Sequence, residues 1–252
     1  MARIVCVLPA RHGSQRLPGK PLALINGRPM IEWAARNALG MNLFDEVLVA
    51  TDHESIVEAA NAAGVEAVMT DPACPSGTDR INQAIAGREA SIVVNIQGDE
   101  PAMPRDPVAR ALEALERAGA DVATACVPIR DRNRFEDPNI VKVVRALNDI
   151  ALYFSRSPIP SLARRDEAAV AASGDIFGYK HLGLYIYRRD ALIRFCQLSP
   201  TCLEMTEKLE QLRMLENGFK IVCPVSETDS IGVDVAEDLH RAATLLKPSG
   251  RG

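Results

Sequence analysis

The chain has 252 residues, 47% of them apolar and 25% charged, with a formal net charge of −4. That length suits one α/β domain with a full core, and the mild acidity excludes a general attraction to nucleic acid or to a membrane surface. Six cysteines form no CxxC pair and four histidines are scattered, which argues against a zinc framework.

Apolar strands alternate with amphipathic helices through the first half. Ile4–Leu8 reads as a buried parallel strand, followed by a helix from Pro29 to Leu39 with Gly40 after it. Glu46–Ala50 is the next strand, and a helix over His53–Ala63 stops at Gly64. Glu66–Met69 is a short strand and Thr78–Ala86 a short helix. Ser91–Gln97 is rich in β-branched residues, and Arg105–Ala118 is helical up to Gly119. Val122–Val127 is apolar again. This rhythm predicts an α/β fold: a mostly parallel, Rossmann-like sheet with helices on both faces.

The rhythm changes after Pro128. Val141–Ala146, Ala151–Phe154 and Leu182–Tyr187 read as strands, with Asn148-Asp149 as a hairpin turn. The expectation is a single domain over 1–252 that carries an antiparallel insertion or dimerisation lobe at about 128–188. Helices at Arg189–Cys196 and Leu203–Asn217, a strand at Lys220–Pro224 and a last helix at Val235–Leu246 complete the pattern. No apolar run reaches the length of a membrane span, and no signal-peptide core precedes the first strand, so the expected compartment is the cytosol.

The most informative stretch is Pro9-Ala10-Arg11-His12-Gly13-Ser14-Gln15-Arg16-Leu17-Pro18-Gly19-Lys20-Pro21-Leu22. Three cations sit on a loop punctuated by glycine and proline, directly after a strand. A nucleoside triphosphate carries about four negative charges, and Arg11, Arg16 and Lys20 suit it. The other reading is a solvated basic loop. The spacing is not that of a Walker loop, because five residues separate Gly13 from Gly19 and Pro21 follows Lys20.

Ligands of open α/β sheets bind beyond the carboxyl ends of the strands. Asp52 and the turn Gln97-Gly98-Asp99-Glu100-Pro101 leave such ends. Asp99 is a candidate magnesium ligand, since that ion takes one or two carboxylates plus substrate phosphates and water. The competing reading is an exposed acidic turn. Asp234, before the last helix, is a second candidate ligand or a helix cap paired with Glu237. Ser76-Gly77-Thr78-Asp79-Arg80 suits either a base edge or a helix cap.

Taken together, these segments resemble the cytidylyltransferases that activate 3-deoxy-manno-octulosonic acid (KDO), the CMP-KDO synthetases. The likeness also rests on Ala50-Thr51-Asp52, Asn95-Ile96-Gln97-Gly98-Asp99-Glu100-Pro101, Tyr153-Phe154-Ser155-Arg156, His181-Leu182-Gly183, Leu209-Glu210-Gln211-Leu212-Arg213 and Gly232-Val233-Asp234, and it covers nearly the whole chain. The resemblance implies that Ala10, Arg11, Arg16, Lys20, Ser76, Gly77, Thr78, Arg80 and Gln97 bind CTP. It implies Mg²⁺ on Asp99 and Asp234, and a sugar pocket of Arg156, His181, Tyr185, Glu210 and Gln211. Lys20, Arg16, Asp99 and Asp234 would serve catalysis. Members often have Thr-Pro after the second metal aspartate, whereas Val235-Ala236 stands here, so the last helix is expected to start differently. The stretch 164–180 carries no motif. The implied activity is transfer of CMP from CTP to KDO for lipopolysaccharide, by a homodimer that binds neither nucleic acid nor membrane. A CMP-sialic acid synthetase and a nucleotide-binding regulator without turnover are the rivals.

Overall fold

The structure is a computed structural model that describes residues 2–13, 19–166, 168, 174–233 and 235–246. In chain order its elements are β1 (Ile4–Ala10), a 3₁₀ turn (Lys20–Leu22), β2 (Leu24–Ile25), β3 (Arg28–Pro29), α1 (Met30–Gly40), β4 (Glu46–Thr51), α2 (Glu54–Ala62) and β5 (Glu66–Met69). Then come α3 (Gly77–Ala84), β6 (Ile92–Ile96), α4 (Arg105–Ala118), β7 (Val122–Ala123), β8 (Cys126–Ile129), α5 (Arg132–Glu136), β9 (Lys142–Arg145), β10 (Ala151–Ser155) and β11 (Gly178–His181). The last are β12 (Leu184–Arg188), α6 (Arg189–Cys196), α7 (Cys202–Glu207), α8 (Gln211–Glu216), β13 (Ile221–Val222) and α9 (Ala236–Leu245). Two compact units result: Met1–Arg105 with Gly183–Cys196 and Ser230–Gly252, and Asp106–Leu182 with Gln197–Asp229.

In the first unit the strands lie in the order β12-β6-β1-β4-β5. β6, β1, β4 and β5 are mutually parallel. Val5 to Leu8 and every residue of β6 are buried, as continuous apolar runs covered on both faces should be. Registers of Val7 with Leu48 and with Asn95, and of Ala10 with Thr51, bring three strand ends to one edge. α1 buries Met30, Ala34 and Ala38, spaced four apart, together with Ile31 and Ala35. The strand expected at 182–187 is β12, which runs antiparallel to β6, with Leu184 opposite Ile96. Gly183 separates it from β11, a strand that was not expected.

A satellite core of Ile25, Met30, Trp33, Val233 and Ala242 holds the last helix to the small β2–β3 hairpin. Asn26, in the left-handed region, donates to the carbonyls of Ala243 and Leu246 at 2.8 and 2.6 Å. This stitch satisfies carbonyls at the end of α9 that lack helical partners.

In the second unit an antiparallel sheet has the order β10-β9-β11-β8, and β13 pairs in parallel with β7. The expected turn at 148–149 is present, with Asp149 left-handed and Ala146 N–H donating to Ile150 O at 2.8 Å. The apolar run 122–127 is two strands rather than one. The helix expected over 203–217 is likewise two, α7 and α8, broken where Lys208 adopts φ 56°. The break lets Arg213 fold back onto Glu204 at 2.7 Å and onto the Leu198 carbonyl at 3.1 Å. That buried ion pair outweighs the local helical periodicity.

Gly98 lets the turn after β6 press against the end of β1. A Cβ at this position would stand 2.8 Å from the Pro9 carbonyl oxygen. Gly98→Ala should therefore destabilise the protein by about 1–3 kcal/mol through overpacking. Urea unfolding should show a lower midpoint with an unchanged slope.

Candidate active site

The first loop re-enters the fold at Gly19, whose φ of 65° is left-handed. The 3₁₀ turn closes with Leu22 N–H donating to Gly19 O at 2.8 Å, and Pro21 occupies a position in this first turn where its missing N–H costs nothing. This geometry buries the Lys20 side chain and sets its Nζ 2.6 Å from Asp99 Oδ2. The Asp99 side chain stays 37% exposed, so this carboxylate is open on one side. Two of the charged residues singled out in the sequence, 79 positions apart, thus meet directly.

A second carboxylate orders the same edge. Asp52 accepts from His12 N–H at 3.0 Å and from Arg80 Nη2 at 2.9 Å. Arg80 is buried and also donates to Thr70 Oγ1. Ala10 is buried at the end of β1, and Arg11 beside it is exposed. The His12 and His53 rings stack, with centroids 4.0 Å apart. Ser76 caps α3, accepting from Asp79 N–H at 3.2 Å and donating to its carboxylate at 2.8 Å. The capping reading of Ser76 therefore holds. The N-terminal residues Gly77 and Thr78 follow it, Thr78 buried and Gly77 exposed. Gln97 is half-buried and donates to Asn95 at 3.3 Å.

The segment before the last helix is tied to the Asp99 turn. Val233 N–H donates to the Asp99 carbonyl at 2.9 Å. Ser230 Oγ lies 3.4 Å from the buried carboxylate of Glu100, and a Cβ on Gly232 would stand 3.3 Å from that same oxygen. Asp234 and Arg16 lie outside the described residues. The N-cap of α9 is Val235, whose N–H is taken by Asp238 at 3.1 Å, so the back-bonding carboxylate is Asp238 rather than the expected Glu237.

Of the sugar-pocket candidates, Arg156, His181, Glu210 and Gln211 belong to the second unit and Tyr185 to the first. Tyr185 sits on β12 opposite Asn95, with its ring 6.0 Å from that of Tyr187. Arg156 donates from Nε to Glu207 O at 3.0 Å and from Nη1 to Pro138 O at 3.3 Å. Glu207 also accepts from Arg156 N–H at 3.0 Å and from Ser155 Oγ at 2.5 Å. Glu210 begins α8 as its N-cap, and Gln211 is buried rather than solvated. His181 Nε2 lies 2.8 Å from Thr124 Oγ1, and its ring edge meets Phe154. Burial pulls its pKa down to about 3, and Lys180 pushes in the same direction. Glu207 and Asp52 had no role in the sequence reading. Asp52 stood in a quoted motif, whereas nothing local marks Glu207, whose partners come from another strand.

Comparison with known proteins decides the family. Residues 5–221 match the cytidylyltransferase family. A 3-deoxy-manno-octulosonate cytidylyltransferase of Geotalea daltonii (strain DSM 22248 / JCM 15807 / FRC-32) is 42% identical, over 98% of this chain and 100% of the relative. That of Thioalkalivibrio sulfidiphilus (strain HL-EbGR7) is 45% identical over 95% and 97%. The chain belongs to the 3-deoxy-manno-octulosonate cytidylyltransferase family. A solved CMP:2-keto-3-deoxy-manno-octonic acid synthetase complexed with CTP is similar throughout, with TM-score 0.88, 39% identity and coverage of 97% and 98%. The rival readings of the sequence find no support in these matches.

For a cytidylyltransferase of this family the donor set matters. No group of three or more His, Cys, Asp or Glu gathers as a metal cage among the described residues. Asp99 offers a hard carboxylate, partly open to solvent, beside the cationic loop. This fits magnesium, which keeps several waters and leans on substrate phosphates rather than on an all-protein cage. No described helix is long and apolar enough to cross a membrane.

The buried imidazole has a pH signature. His181 is lowered from 6.5 to about 3 in the folded chain, so the unfolded chain binds more protons between those values. Its contribution to stability is complete above pH 6.5 and is lost as pH falls towards 3. Imidazole NMR should show His181 neutral at pH 5, and unfolding free energy should fall across this window less steeply in His181→Gln.

Proposed function

We propose that the chain transfers CMP from CTP to the anomeric 2-hydroxyl of KDO, releasing pyrophosphate and supplying activated sugar for lipopolysaccharide. The observation that carries this reading is the Lys20–Asp99 contact at the carboxyl ends of β1 and β6, in a chain of the 3-deoxy-manno-octulosonate cytidylyltransferase family. The reading includes a cytosolic homodimer.

The nucleotide residues all belong to the first unit. Arg11, Arg16 and Lys20 hold the phosphates, Ser76 to Thr78 and Arg80 border the cytosine, and Gln97 lies by the nucleoside. Arg80 is held by Asp52 and Thr70, so it acts as a fixed wall rather than a mobile clamp. Asp99 and Asp234 would hold magnesium, which when bound lowers the charge on the α-phosphate and aligns nucleophile and leaving group. The Lys20 ammonium has three N–H donors, so it can keep Asp99 and still grip a phosphate oxygen. It stabilises charge on the departing pyrophosphate.

The reaction forms a bond from the sugar O2 to the α-phosphorus and breaks the bond from that phosphorus to the bridging oxygen. The hydroxyl loses its proton, and pyrophosphate leaves with the electron pair. Little covalent work falls to the protein, so positioning and charge stabilisation carry the rate. In the second unit Arg156 clamps the sugar carboxylate, while Glu210 and Gln211 meet the hydroxyls. His181 is buried and engaged with Thr124, which suits orientation and not proton transfer.

Pyrophosphate release with CTP and KDO, compared with UTP and with sialic acid, tests the reading. Turnover should require CTP and KDO; preference for sialic acid, or no turnover, overturns it. Lys20→Ala should cost about 3 kcal/mol in kcat/KM, on the order of a hundredfold. Asp99→Asn should fold yet lose its magnesium-dependent rate, read by stopped assays across magnesium concentration.

A further inference from the structure

Lys142 is fully buried, at 0% exposure, in the middle of the antiparallel sheet. Its strand lies between β10 and β11, with Ser155 opposite on one side and Lys180 on the other. Arg156 and His181 are each the next residue along on those two strands. The Lys142 ammonium donates to three backbone carbonyls: Asp137 at 2.9 Å, Ile140 at 2.6 Å and Arg156 at 2.5 Å. Among the described residues no carboxylate lies within ion-pair distance of it. Glu207 is engaged instead with Ser155 Oγ and Arg156 N–H.

Burying a charge without a counter-ion is costly, and neutral donors would satisfy the same carbonyls without that cost. Three converging carbonyl dipoles hold the ammonium but leave its net charge intact. The strain of keeping it shows in a pKa drawn down by burial, which Asp137 opposes, Arg156 reinforces and Glu207 opposes. Asp137 and Glu207 offset this positive charge only in part, and the remainder favours an anion nearby.

We propose that Lys142 is a positioning residue for an acidic sugar: its ammonium fixes the Arg156 backbone and the 137–140 turn, and its charge favours the sugar carboxylate held by Arg156. This rests on the KDO reading above.

The test compares the wild-type enzyme with Lys142→Met, which loses both donors and charge, and with Lys142→Gln, which keeps donors and loses charge. In both, KM for KDO should rise about tenfold, the loss of one charge-assisted contact. KM for CTP should stay within about twofold of wild type, in keeping with loss of a contact on one substrate only. The preference for KDO over its C1 carboxamide should shrink by a similar factor. Equal losses with acid and amide, an unchanged KM for KDO, or failure of both variants to fold would make Lys142 a structural cap and overturn the proposal. A wild-type enzyme that does not use KDO would instead overturn the functional reading.

Discussion

Lys20 against Asp99 is the contact on which the strand-end edge of the first unit depends. A buried ammonium demands a counter-charge, and a carboxylate from the turn after β6 meets it at 2.6 Å. The contact exists only because two glycines permit it. Gly19 supplies the left-handed entry to the turn that aims Lys20 inward, and Gly98 lets the acidic turn approach the end of β1. The same device recurs at Asp52, which collects Arg80 and the His12 backbone. The edge is thus a row of charges already compensated in pairs, rather than a bare positive hole. That suits a chain of net charge −4, because the site presents cations locally without a basic surface.

Much of the first unit was legible from the chain itself. Apolar runs without alternation marked buried parallel strands, and Gly40, Gly64 and Gly119 marked helix ends within a residue or two. Strand β12 was legible as a strand but not as an antiparallel member of the large sheet, since direction is set by pairing partners. A strand as short as β11 carries too few residues to show a period. The stretch 203–217 misled in a more instructive way: its leucines have helical spacing, yet the Arg213–Glu204 pair bends the chain at Lys208.

The site was legible to different depths. Strand-end motifs placed Lys20 and Asp99 on one edge by the general rule for open sheets, and their direct contact follows from that rule. Burial was harder to read. Gln211 is buried on α8 without any local apolar signal, and His181 owes its enclosure to Thr124 and Phe154 from elsewhere in the chain. Glu207 had no local signal at all, because its value lies in holding Arg156 and Ser155 from fifty residues away.

Cations withdrawn from solvent are held in two ways in this chain. Lys20, Arg80 and Arg213 face carboxylates, and their charge is neutralised locally. Lys142 and Arg156 face backbone carbonyls, which orient a cation without cancelling it. A triphosphate arrives with several charges and with its own metal, so it can compete for cations that are already paired. A sugar acid arrives with one carboxylate, and a paired cation would bind it weakly once the cost of breaking the pair is counted. Carbonyl-held cations avoid that cost, so on the proposed reading they suit a sugar acid better than paired ones do.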